Sequence, residues 1–145
     1  MRDAALGGTM AAVKPAEEPA PVQGPPKLNV LVVEDDESML HLVRLHLGGA
    51  GYVVTVARDI IEAGIQILKR PPDAIVLDVD LPYMNGLEFA RTLLADRSLP
   101  WIPIIFITAH EHFAEEAQAI GAACLMKPFY KEKLLECVRG CLSAR

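Results

Sequence analysis

The chain has 145 residues, 52% of them hydrophobic, and a formal net charge of −5. That length suits one ordinary domain with a full core and is too short for two well-packed ones. The acidic balance, with Lys and Arg scattered rather than clustered, disfavours a nucleic-acid-binding surface. No apolar run approaches a membrane span, and the N-terminus lacks the charged-then-apolar layout of a signal peptide. Three cysteines, Cys124, Cys137 and Cys141, are an odd number, which fits a reducing, cytoplasmic setting. Cys137 and Cys141 lie one helical turn apart. Two thiols are too few for a structural zinc site and read as small apolar fillers on a helix's inner face.

Residues 1–27 hold Pro15, Pro19, Pro21, Pro25 and Pro26, many alanines and no aromatic residue. Such a segment buries too little apolar surface to offset its ordering entropy, so a disordered Pro/Ala-rich extension is expected. Residues 28–145 read as one domain. Its strands are short continuous apolar runs: Val30–Val33, Val53–Val56, Ala74–Leu77, Ile104–Ile107 and Ala123–Met126. Runs without alternation predict strands covered on both faces, as in a parallel sheet. Helical stretches lie between them. The first, Ser38–Leu47, puts Leu40, Val43, Leu45 and Leu47 at near-helical spacing and stops at Gly48-Gly49. Asp59 caps the second, and Glu62 completes a capping-box-like pair. The third opens at Asn85-Gly86 and offers Leu87, Ala90, Leu93 and Leu94 to the core. A short fourth, Glu115–Ile120, ends at Gly121, and the last, Lys131–Leu142, presents Leu134, Leu135, Val138 and Leu142.

Five β/α units joined by right-handed crossovers predict an α/β, doubly wound three-layer sandwich. Its ligand crevice lies at the carboxyl ends of the strands, where the winding reverses. The polar residues fall just there. Glu34-Asp35-Asp36 follows the first strand, Asp78 the third, Thr108 the fourth and Lys127 the fifth. Adjacent strands ending this way are expected to gather three or four acids at one spot. That spot must hold a cation or be unstable, and it points to a metal-dependent phosphoryl-acceptor site.

The segments Val32-Val33-Glu34-Asp35-Asp36, Leu77-Asp78-Val79-Asp80-Leu81-Pro82-Tyr83-Met84-Asn85-Gly86, Ile107-Thr108-Ala109 and Lys127-Pro128-Phe129 match in order and spacing. Through them, residues 28–145 resemble the receiver domains of two-component response regulators. The resemblance implies a flavodoxin-like five-stranded parallel sheet in the order 2-1-3-4-5. It implies Asp78 as phosphoacceptor and Mg²⁺ as cofactor, held by Glu34, Asp35, Asp78 and the backbone carbonyl of Asp80. Thr108, Ala109 and Lys127 would bind the phosphoryl group, Thr108 and Lys127 acting in the switch. The Lys127-Pro128 bond is expected to be cis. The resemblance further implies a histidine kinase or histidine phosphotransfer protein as donor. A downstream protein would be met through the face built by the fourth helix, fifth strand and last helix. No nucleic acid or membrane partner is expected, and a homodimer is left open. Two carboxylates ~4 Å apart at an effective dielectric of ~20 repel by about 4 kcal/mol. Asp35→Asn is therefore expected to stabilise the metal-free fold while weakening Mg²⁺ binding.

Two departures stand out. The residue three before Lys127, often an aromatic switch in this family, is Cys124. The stretch from Thr108 to Lys127 is also a few residues shorter than usual, which predicts a short or displaced fourth helix. Asp80 and His110 each lie two residues beyond Asp78 and Thr108, where they would border the hydrolytic water and tune phosphate lifetime. The chain runs out at its last helix, which reads as a stand-alone receiver without an output domain that catalyses only its own phosphorylation and dephosphorylation. The alternative is a receiver-fold binding module independent of phosphorylation. An enzyme reading also exists, since Asp78-Val79-Asp80 resembles the two-aspartate motif of haloacid-dehalogenase phosphatases. That motif belongs on a first strand, and the chain lacks room for the usual cap.

Overall fold

The computed structural model describes residues 27–80 and 85–144. The expected N-terminal extension, apart from Lys27, lies outside the described residues. The elements run β1 (Asn29–Val33), α1 (Glu37–Gly49), β2 (Val53–Ala57), α2 (Ile60–Lys69), β3 (Ala74–Asp78), α3 (Gly86–Ala95), β4 (Ile104–Thr108), α4 (Phe113–Ala119), β5 (Ala123–Met126) and α5 (Lys131–Ser143). All strand pairs are parallel, in the order β2-β1-β3-β4-β5. This is the 2-1-3-4-5 order implied by the resemblance.

The unbroken apolar runs have a simple cause. Alternate residues of each strand face opposite sides of the sheet, and both sides are covered. Leu31, Val33, Ile75, Leu77, Ile104 and Phe106 pack under α2, α3 and α4. Val30, Val32, Val76, Ile105, Ile107 and Leu125 pack under α1 and α5. After β1 the chain steps outward to β2, then crosses back to β3 on the other side. The winding therefore reverses between β1 and β3, and their carboxyl ends border the crevice.

The helix starts follow the sequence closely. Asp59 accepts the N–H of Glu62 at 2.8 Å. Glu62 reaches back to the N–H of Arg58, one residue before the cap. Asn85 accepts the N–H groups of Leu87 and Glu88. Three expectations need correction. Helix α1 runs through Gly48 and Gly49 and is capped by Ala50. The residue in the left-handed region is Gly51, at φ +98°, and its N–H closes the last turn on the Gly48 carbonyl. Leu45 is 61% exposed, because Leu40, Val43 and Leu47 already form the inward line. Helix α4 begins at Phe113, ahead of Glu115, because buried Phe113 anchors it edge-on against Phe106, with ring centroids 5.1 Å apart. At seven residues, α4 is short, as the spacing predicts. Among the described residues, no helix is long and apolar enough to cross a membrane.

These differences are testable by thermal unfolding. Gly51→Ala forces a Cβ into the left-handed region and is expected to lose about 1–2 kcal/mol. Gly48→Ala, in the exposed helix interior with open space around it, is expected to gain about 0.5–1 kcal/mol. The opposite pattern would place the helix stop at Gly48.

Candidate functional site

The crevice is built by residues at or just past the ends of four strands. Glu34 follows β1 and is held by its own N–H to the Ala57 carbonyl. Asp78 and Thr108 are the last residues of β3 and β4. Lys127 follows β5, its N–H bonded to the Thr108 carbonyl at 2.8 Å, and the Lys127-Pro128 bond is cis. Glu34, Asp78 and Thr108 are 2%, 3% and 0% exposed.

Asp78 is held by both oxygens. Oδ2 accepts from Lys127 Nζ at 2.8 Å, and Oδ1 accepts the N–H of Asp80 at 2.7 Å. Burial pushes its pKa up. Hydrogen bonds from Glu34, Lys127 and the Asp80 N–H, together with the Lys127 charge, outweigh that, and the net shift is downward. Burial likewise opposes the Lys127 charge, but the bond to Asp78 and the charges of Asp78, Glu34 and Asp80 win and raise its pKa. Glu34 answers to the same surroundings in reverse. Burial, a hydrogen bond to Asp78 and the Asp78 charge push it up to about 8. Its Oε2 accepts the N–H of Asp36 at 3.2 Å, whereas Oε1 is buried with no donor facing it, so the bond to Asp78 forms only with a proton on Glu34. A proton on Glu34 turns its contact with Asp78 from repulsion into a hydrogen bond.

The expected pile-up of three or four acids is not what forms. Two acids and a lysine are buried together, and Asp35 and Asp36 are exposed. Among the described residues, no group of three or more His, Cys, Asp or Glu is arranged to hold a metal. Past the end of β1, Glu34 is buried against Asp78, and the next residue, Asp35, lies at the solvent side of the crevice. Asp36 is taken up as the N-cap of α1, accepting the N–H groups of Ser38 and Met39. The repulsion expected to make Asp35→Asn stabilising therefore falls on Glu34. A hard cation still fits. The orphaned Glu34 Oε1 lies beside an ionised Asp78, every available donor is oxygen, and Mg²⁺ keeps several waters and needs few protein ligands.

The remaining candidates surround this pair. The Thr108 hydroxyl accepts the N–H of His110 at 3.0 Å, and Ala109 is exposed at the rim. His110 Nε2 stands 3.9 Å from Asp80 Oδ2 across the crevice mouth. The His110 and His112 rings approach to 5.9 Å. Cys124 sits half-buried on β5 in register with Phe106, and burial raises its pKa. It packs on the α2–α3–α4 side of the sheet. Cys137 and Cys141 are free and half-buried, packed against the α1–α5 side. Sequence reasoning missed Phe113, whose only signal was an aromatic residue just before the short fourth helix.

A family model described as the response regulator receiver domain matches residues 30–139. Response regulator MprA of Mycobacterium sp. (strain KMS) is 36% identical over 118 residues, which are 79% of this chain and 50% of that protein. MprA of Mycobacterium leprae (strain TN) is 35% identical, over 79% of this chain and 51% of its own length. The chain thus spans about half the length of the curated relatives it matches. Among solved structures, the chemotaxis response regulator CheY4 of Vibrio cholerae superposes with a TM-score of 0.74 at 33% identity. That match covers 80% of this chain and 99% of CheY4. The signal receiver domain of a signal transduction histidine kinase from Syntrophus aciditrophicus gives a TM-score of 0.73 at 28% identity, over 81% and 91%.

The buried pair sets a pH dependence. Between its ordinary value of 4.5 and about 8, the folded chain holds a proton on Glu34 that the unfolded chain has released. Stability from this group is therefore full below the lower value and falls as pH rises through the window. Asp78, shifted downward, works in the opposite sense and loses its contribution as pH falls below the usual carboxylate range. Glu34→Gln is expected to remove the falling slope and to add about 1–3 kcal/mol near neutrality without metal. Melting curves across the window, showing the same slope in both proteins, would refute this. Lys127→Met leaves Asp78 buried beside Glu34 without its cation, and is expected to cost about 2 kcal/mol.

Proposed function

Because this chain belongs to the response regulator receiver family, we propose that it accepts a phosphoryl group on Asp78 from a histidine kinase or histidine phosphotransfer protein and signals by protein contact. Receiver domains are signalling proteins that typically bind Mg²⁺. The observation that carries the reading for this chain is the Asp78 carboxylate, buried, shifted toward its ionised form and held through both oxygens. An ionised carboxylate is the nucleophile this transfer needs. One Asp78 oxygen forms the bond to phosphorus as the bond to the donor nitrogen breaks.

Each neighbour has a part in that step. The Lys127 charge, spent on Asp78 Oδ2 before transfer, stands ready for the incoming phosphoryl oxygens. The Asp80 N–H orients the acceptor through Oδ1. The Thr108 oxygen already accepts from the His110 N–H, which leaves its own proton free to donate to a phosphoryl oxygen. Glu34, Asp35, Asp78 and the Asp80 carbonyl would hold Mg²⁺, which when bound supplies positive charge to the phosphoryl oxygens. Asp80 and His110 flank the mouth, where they would tune access of the hydrolytic water.

Phosphorylation adds roughly −1.5 to −2 charge at this point. Thr108 is drawn toward it, and residues 109–112 follow. They lead directly into Phe113, which packs on Phe106 one strand away from Cys124. The α4–β5–α5 face then changes its affinity for a partner protein. In this chain an aromatic pair anchors α4 where an aromatic switch at the Cys124 position does not exist. The absence of basic clustering and of a membrane-spanning helix among the described residues supports a cytoplasmic protein whose partners are proteins.

Intact-mass spectrometry after incubation with acetyl phosphate and Mg²⁺ tests the reading. The expected result is one added phosphoryl group on the wild type and none on Asp78→Asn. Addition to both would move the acceptor elsewhere. No addition from acetyl phosphate or from a kinase, despite Mg²⁺ binding, would favour a binding module independent of phosphate.

A further inference from the structure

Helix α2 carries two apolar stripes. Ile60, Ala63 and Ile67 are buried against the sheet. Ile61, Ile65 and Leu68 point away from it and are 73%, 51% and 75% exposed. Spacings of four and three residues align these three side chains along one line of the helix, with Gly64 beside them. A surface helix ordinarily turns charged or polar residues outward. A continuous exposed apolar line marks a contact site. This one lies beside the edge strand β2, whose first residue, Val53, is also exposed. It is separate from the α4–β5–α5 face.

We propose that this stripe is the interface of a symmetric dimer in which α2 packs antiparallel against α2 of a second copy. The stripe is complementary to itself. A two-fold axis at the level of Gly64 and Ile65 sets Ile61 of one copy against Leu68 of the other and Ile65 against its own mate. Open space surrounds the position a Gly64 Cβ would take, so the two backbones can approach closely there. The charges at the rim agree with this arrangement. Glu62 and Lys69 are exposed on the same flank of the stripe, seven residues and about 10 Å apart. The antiparallel axis places Glu62 of each copy against Lys69 of the other, whereas a parallel pairing turns these flanks to opposite sides of the interface and leaves both charges without a mate. Glu62 Oε1 accepts the Arg58 N–H, which leaves its second oxygen for the pair.

A helix of ten residues is about 15 Å long, so the interface is small and the dimer weak. Sedimentation equilibrium of the full chain, from micromolar to near-millimolar concentration, should show a mass rising toward twice the monomer. Ile65→Lys should stay monomeric while keeping its circular dichroism and its uptake of a phosphoryl group. Lys69→Glu and Glu62→Lys should each weaken self-association about three- to tenfold, and an equimolar mixture of the two should recover it as a heterodimer. A chain that is monomeric throughout overturns the proposal, as does a dimer that Ile65→Lys leaves intact. A monomer in which Ile65→Lys lowers amide-exchange protection of α2 also overturns it, and assigns the stripe to a segment of the same chain.

Discussion

The crevice depends on one arrangement of charge. Asp78 is shut into the carboxyl edge of the sheet with Glu34 against it and Lys127 bonded to it. Two buried carboxylates and one lysine cannot all be satisfied as ions. The chain resolves this by ionising Asp78 and Lys127 and leaving a proton on Glu34 near neutrality. That division also prepares chemistry. The acid kept ionised is the one with two fixed donors, and the acid kept neutral is the one with an orphaned oxygen. A proton and a hard cation are competitors for that oxygen, so metal binding at this edge should release a proton.

The sheet makes the arrangement possible. Parallel strands buried on both faces have no solvent outlet except at their ends. Glu34, Asp78, Thr108 and Lys127 become neighbours only because β1, β3, β4 and β5 stop at the same level. The register brings Val33 opposite Leu77, Asp78 opposite Ile107 and Thr108 opposite Met126. A slip of two residues in any one pairing would leave both faces apolar yet move one of these groups about 7 Å along the edge. Core and site thus constrain the same register for different reasons, and the Lys127 N–H bonded to the Thr108 carbonyl fixes the last strand in that register.

The fold was legible because apolar runs, caps and breakers all pointed the same way. Asp59, Asn85 and the five strand runs needed no tertiary knowledge. The misreadings have physical causes. Gly48-Gly49 looked like a stop, but glycine tolerates the helix, and the turn was set by the residue that needs a positive φ, Gly51. Leu45 fits a helical spacing, yet a helix between sheet and solvent has room for only one inward line. The acid cluster was overcounted because a sequence does not state which of three consecutive acids turns inward. Glu34 was taken into the crevice against Asp78, and the helix terminus took Asp36. That crowded acids without a cation should keep a proton follows from the sequence; that Glu34 is the one does not, since its raised pKa arises from burial against a residue 44 positions away.

The region between Thr108 and Lys127 ties the crevice closely to α4. Its loop is tied to the crevice at one end by the His110 N–H on the Thr108 hydroxyl. At the other end Phe113 is wedged against Phe106 in the core. Only residues 109–112, four in all and all exposed, lie between Thr108 and Phe113. Under the proposed function, a movement of Thr108 would meet little slack before it reached α4. A longer loop would dissipate the same displacement in its own backbone. The thiol of Cys124 leaves Phe106 without an aromatic neighbour on β5, so Phe113 supplies the only ring contact Phe106 makes among the described residues. On the function proposed here, the short loop and the small residue on β5 would be compatible halves of one design, in which α4 itself would be the moving part.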